Sequence, residues 1–286
     1  MKIVLLFGLG LTGFTAYAQP KEVSMATVNI TTTIVAPEGE DVSNIQNQGD
    51  GRMNFRNFGD GETKSVIYIK NDLVKTVAKS DMGRTTTIRD NKTKLTTTLL
   101  EIMGNKTGFY ATDEEQEQAK KSMDSMMSAR PRDSSARQAP RPAGTSTVDF
   151  VETNETKKIA GYLCKKAYLI TTRLMILKDT AIVWYNPDFK VPNFTPAGAA
   201  GAIASFMNPS TTSNGMEKVD GFIMGYETKM RRNRTMIMEV TKVDFTKEVA
   251  DKEFNIPKDF DVKPMKEMRN QMSGTGGMQF QMRRNN

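Results

Sequence analysis

Short runs rich in the strand-forming residues Val, Ile and Thr recur along most of this chain, and turn-forming residues break them every few positions. The pattern predicts strands at 23–35, 52–58, 64–70, 73–80, 85–89, 94–102 and 107–111. The breaks fall at Gly59-Asp60-Gly61, Asn71-Asp72, Met82-Gly83, Asp90-Asn91 and Gly104-Asn105, and a Gly- and Asn-containing loop covers 37–51. Strands resume at 148–153, 156–159, 162–172 and 180–185, where Asn186-Pro187-Asp188 ends the last. A hairpin is expected over 221–245 with its turn near Arg232-Asn233. In its second arm Met236, Met238 and Val240 alternate with Ile237, Glu239 and Thr241, so the first three share a face. Glu253 to Pro257 is expected to form a closing strand. Short strands at this spacing suggest an antiparallel meander.

The strand pattern stops in three places. Thr112-Asp113-Glu114-Glu115 has the layout of a capping box, which predicts a helix from Asp113 to Met127 with Ala119, Met123, Met126 and Met127 on one face. Over 129–147, Arg130, Arg132, Arg137 and Arg141 interleave with Pro and Ser, the composition of a mobile basic linker. Ala197 to Met207 is small and apolar, a candidate short helix lining a core or cavity mouth. Residues 258–286 read as a flexible tail rich in Met and Arg.

The first residues carry an address. Lys2, the apolar run from Ile3 to Phe14 and Ala16-Tyr17-Ala18 have the layout of a secretory signal peptide over 1–18, cleaved after Ala18. The run is too short to span a membrane. Gln19 rather than Cys follows, so a lipoprotein anchor at that site is not expected. The expected location is periplasmic or secreted, with one β-rich domain over 19–257.

Composition narrows the chemistry. The chain has 286 residues, 38% hydrophobic and 26% charged, with a formal net charge of +7. Outside the cytoplasm nucleic acid is not an expected partner, whereas an anionic membrane surface or another envelope component is. The charges are interspersed, which also describes an ordinary solvated surface. Cys164 is the single cysteine, so no internal disulfide forms. Histidine is absent, which excludes Ser-His-Asp and Cys-His catalysis and histidine-ligated zinc or copper. No cofactor or metal is expected, and the chain reads as a non-enzyme.

The remaining candidates each have two readings. Glu152, Glu155 and Asp179 are carboxylates without a spacing that sets up acid/base sugar chemistry. Asp50-Gly51 and Asp60-Gly61-Glu62 are turn residues that do not match an EF-hand loop. The 20 methionines are soft ligands for Cu(I) or adaptable apolar filler. Cys164 shares a predicted strand face with Tyr162, Lys166 and Tyr168, and is either a buried inert thiol or one activated by a neighbouring lysine.

Lys157-Lys158-Ile159-Ala160-Gly161-Tyr162-Leu163-Cys164-Lys165-Lys166-Ala167 resembles the signature of the DUF4412 family and the related GLPGLI family of exported bacterial proteins. Val183-Trp184-Tyr185-Asn186-Pro187-Asp188 and Phe254-Asn255-Ile256-Pro257 follow in the expected order. Val219 to Met224 stands where the GLPGLI motif would lie but lacks its literal residues, which favours DUF4412. The resemblance covers about 65–257. It implies a mainly β (α+β) fold of the LolA/LolB type: a curved antiparallel sheet, or half-barrel, with one or two helices on its concave face. Such a fold implies an apolar cavity able to hold acyl chains, and the resemblance carries over no catalytic residues. The expected function is binding of an apolar or lipid-like ligand. Inward strand residues Ile67, Ile69, Leu99, Val183, Met236 and Met238 would line the cavity, and Met123, Met126 and Met127 would close it. The alternative is a protein–protein interaction or assembly factor of the cell envelope.

Overall fold

Among the described residues, most of the expected runs are strands joined at the turn signals. The computed structural model describes residues 20–37, 61–80, 83–129, 146–173, 177–191, 215–230 and 233–267. In chain order the strands are β1 (Lys21–Glu22), β2 (Met25–Val35), β3 (Gly61–Lys70), β4 (Leu73–Ser80), β5 (Gly83–Asp90), β6 (Leu95–Ile102) and β7 (Asn105–Thr112). The helix α1 (Asp113–Ala129) follows. Then come β8 (Ser146–Ile159), β9 (Tyr162–Arg173), β10 (Leu177–Asn186), β11 (Phe189–Lys190), β12 (Phe222–Lys229), β13 (Thr235–Asp244) and β14 (Asp261–Pro264). The signal peptide, the strand expected at 52–58, the linker over 130–145, the helix expected at 197–207 and the tail beyond 267 lie outside the described residues.

Twelve strands form one curved sheet that does not close into a barrel, in the order β14-β7-β6-β5-β4-β3-β2-β13-β12-β10-β9-β8. Its pairs are antiparallel except β14 with β7, and β1 pairs with β11, also in parallel, as a separate ribbon. Hairpins force antiparallel neighbours, whereas β14 returns from a distant part of the chain and is free of that constraint.

Local chemistry sets the turns. Met103-Gly104 and Ala160-Gly161 each join two strands through two residues with positive φ, 50° and 81° in the first and 48° and 87° in the second. This is the geometry that matches the twist of a hairpin. The helix starts as its capping box dictates: the backbone N–H of Glu115 donates to Thr112 Oγ1 at 3.2 Å, and that of Thr112 donates to Glu115 Oε2 at 2.9 Å.

Two expectations are corrected. The runs at 148–153 and 156–159 are one strand, β8, with an irregularity between Glu152 and Thr156. Glu253 to Pro257 is not a strand: Asp251–Phe254 forms a 3-10 turn that lies over β3 and β4. Lys75 Nζ donates to the Glu253 carbonyl oxygen at 2.5 Å, and Ile256 is exposed. The closing strand is β14 instead, inside the segment expected to be tail.

The register divides the sheet into two faces. The inward face carries Ala26, Val28, Ile30 and Thr32 on β2, opposite Ile69, Ile67, Ser65 and Thr63 on β3 for the same four positions. Most of the buried apolar residues on it join one core that runs to β9 and β10 through Val240, Tyr226, Val183 and Leu169. At β5 to β7 both faces are covered: Thr85, Thr98 and Phe109 are buried on one, Thr86, Thr97 and Leu99 on the other.

Candidate functional site

The inward face is the first candidate, built from every second residue of the central strands. Ile67, Ile69, Val183 and Met238 lie on it together, each at most 2% exposed, and Met236 stands half-buried beside them. Leu99 does not join them. Thr98 takes the inward position on β6, in register with Thr87, Thr76 and Ile67, and Leu99 points the other way against Gly108. The run Thr96-Thr97-Thr98-Leu99-Leu100 has no alternation, so the sequence holds no cue to its register. The side chains of Met123, Met126 and Met127 lie outside the described residues.

Sequence reasoning missed how polar the inward face becomes beyond β3. Thr76, Thr87 and Thr98 stand side by side on three neighbouring strands, with Thr85 and Thr96 on the same face. The hydroxyl oxygens of Thr32 and Thr87 are buried without a partner among the described residues. Runs such as Thr85-Thr86-Thr87 look alike on both faces, and only the strand register separates them.

The signature segment 157–167 builds a latch on the outward face. Glu239, Gly225, Trp184 and Lys166 form a row across β13, β12, β10 and β9. Beyond its irregularity β8 bends over this row. Lys157 Nζ lies 4.8 Å from the centre of the Trp184 ring and 3.3 Å from Glu239 Oε2. Trp184 and Ile159 pack over Gly225, with Trp184 Cβ 3.3 Å and Ile159 Cδ1 3.4 Å from an ideal Cβ there. Tyr162 enters an aromatic cluster with Phe189 and Phe245, at 5.5 and 5.9 Å between ring centres. Cys164 is fully buried in the latch, and burial pushes its thiol up to about 11. Burial and the raised value both disfavour the thiolate, the nucleophilic form.

The carboxylates singled out in the sequence have structural partners. The Tyr185 hydroxyl donates to Glu152, and burial, reinforced by that carboxylate, raises the phenol. Lys166 Nζ donates to Glu155 Oε1 at 2.9 Å. Among the described residues no group of three or more His, Cys, Asp or Glu is placed to hold a metal ion.

A cleft of about 530 Å³ opens on the outward face between β2, β3 and β13 and the segment 247–253. Asn29, Tyr68, Lys242 and Asp244 help form its floor, and Lys247, Glu248, Lys252 and Glu253 its roof. Val66, Val249 and Ala250 also line it, so charged and apolar side chains are mixed there.

No family model matches the sequence, and no curated protein is similar to it. Two structures of PNGF-II, in the C2 and P21 space groups, are similar at 16% and 14% identity, with TM-scores of 0.37 and 0.35. Each match covers 86% of this chain and 32% or 33% of the other, so this chain spans about a third of those proteins' length. Likeness that loose assigns no function. Among the described residues no helix is long and apolar enough to cross a membrane.

Proposed function

We propose that this chain is an exported, non-enzymatic envelope protein of the DUF4412 kind that holds an apolar or lipid-like ligand against the inward face of its sheet. The observation that supports this reading is the one-sided apolar surface from Ile69 and Ile67 through Val28, Ile30, Val240 and Met238 to Val183, carried on an open, curved sheet. The signature residues support the family reading because Ile159, Gly161, Tyr162 and Cys164 all serve one hairpin latch.

The inward side chains are already shielded from solvent, so an acyl chain has to replace protein contacts there. Its burial, about 0.8 kcal/mol per methylene, must outweigh what it displaces. Short chains then fail and long ones succeed. Displacement of a fluorescent fatty acid by saturated acids of increasing length tests this. Affinity is expected to rise about fourfold per methylene. Affinity independent of chain length would refute the reading.

An assembly role is the second reading. β8 is an edge strand of the sheet, and Val151 on it is 44% exposed, the arrangement that accepts an added strand.

A further inference from the structure

The two edges of the large sheet are unlike. β14 is four residues long and carries Lys263 and Pro264, residue types that blunt an edge. β8 is fourteen residues long, and no strand lies on its side away from β9. Lys218 Nζ donates to the Val148 carbonyl oxygen, so the open stretch begins at Asp149 and runs to the irregularity after Glu152. On the outward face Val151 continues a row through Tyr168 and Ile182. Val151 is 44% exposed and the other two are half-buried, so an apolar row runs out to an unpaired edge.

That edge is also acidic. From Ser146 to Thr156 β8 carries Asp149, Glu152 and Glu155 and no basic residue. Lys166 pairs with Glu155, whereas Asp149 and Glu152 have no ion pair among the described residues.

The sequence holds a matching segment outside the described residues. Met278-Gln279-Phe280-Gln281-Met282 alternates apolar and polar residues with the period of a strand. Arg283 and Arg284 follow, and no acidic residue occurs from Met268 to Asn286. β14, which precedes this segment, lies at the opposite edge from β8, about 11 strand spacings or about 53 Å along the sheet. Residues 268–278 span at most about 37 Å when fully extended. The segment of a second copy has no such limit.

We infer that residues 278–284 of one copy add to the β8 edge of a second, with Met278, Phe280 and Met282 beside Val151 and the two arginines drawn to Asp149 and Glu152. This rests on the assembly reading and names its partner. The contact is head-to-tail, so it propagates from copy to copy instead of closing as a symmetric pair.

The test uses the full chain and a fluorescein-labelled peptide of residues 276–286, read by anisotropy. The peptide is expected to bind the parent, to bind a Val151→Lys variant about tenfold more weakly, and to bind an Ile256→Lys variant, changed at an exposed apolar residue away from β8, as it binds the parent. A scrambled peptide of the same composition is expected to fail. A peptide carrying R283E and R284E is expected to bind about tenfold more weakly, with the gap closing as salt is raised. Sedimentation of the full chain is expected to show concentration-dependent oligomers that Val151→Lys removes. Equal binding of native and scrambled peptides, or equal binding to the two protein variants, would overturn the assignment. Oligomers that Val151→Lys removes, without peptide binding, would overturn it and leave the β8 edge as the assembly surface. Absence of both would overturn the assignment and the edge-based assembly reading together.

Discussion

Cys164 and Arg89 show how single residues are committed to the fold. The Cys164 thiol is fully buried, donates to the Tyr162 carbonyl at 3.5 Å and is held at about 11 by burial. At pH 8 about one thiol in a thousand is ionised. Iodoacetamide is expected to leave the native protein unlabelled and to label it after denaturation; rapid labelling of the native protein would show an accessible thiolate. Arg89 joins β5 to the start of α1, and its hydrogen bond to Asp113, foremost, holds that carboxyl below the usual range. The folded value therefore lies below the unfolded one. The stabilisation is present above about pH 4 and fades as pH falls through the folded value. Arg89→Gln is expected to lower the denaturant midpoint at pH 6 and to narrow its gap from the parent at pH 3. A constant gap across that range would show that the pair is not the acid-sensitive link.

At the scale of elements, the β8–β9 hairpin and α1 behave as separately testable units. Gly225 lies under both Trp184 and Ile159, and a branched side chain there would press against the two together. Gly225→Val is expected to cost about 1–3 kcal/mol in chemical denaturation and to make Cys164 alkylable; an unchanged midpoint would mean that the tip is not packed there. Thr112→Ala removes one half of the capping box and is expected to cost about 1 kcal/mol of helix stability, read as faster amide exchange at Glu115. These elements differ in how far the sequence reveals them. The capping box is local, so Thr112 and Glu115 announce it. Met238 and Val240 alternate with Glu239 and Thr241, and both are buried as that pattern requires. Leu99 sits in a run of Thr and Leu with no alternation, and its face is fixed only by pairing with β5 and β7. The segment 253–257 contains strand-forming residues, yet its place over β3 and β4 is set by Lys70 and Lys75 binding Asp251 and Glu253. No local pattern encodes those long-range contacts.

The whole molecule is a sheet whose two faces differ in kind. Outward, charged and aromatic side chains hold the hairpin latch and a cleft of mixed charge. Inward, the aliphatic residues of the central strands are followed by the row Thr76, Thr87 and Thr98, flanked by Val74 on β4 and by Phe109 and Ala111 on β7. The apolar half was legible in the alternation of β2, β3 and β13. The hydroxyl half was not, because consecutive threonines hide which member faces in. The Cys164 thiol is buried, and the Glu152 and Glu155 carboxylates are tied to Tyr185 and Lys166. The most direct measurement is mass spectrometry of the organic extract of the full chain purified from its native host without detergent exchange. The account predicts a stoichiometric long-chain amphiphile, depleted in a Met238→Lys variant that remains folded by circular dichroism. An extract free of acyl species, or one equally loaded in that variant, would contradict it.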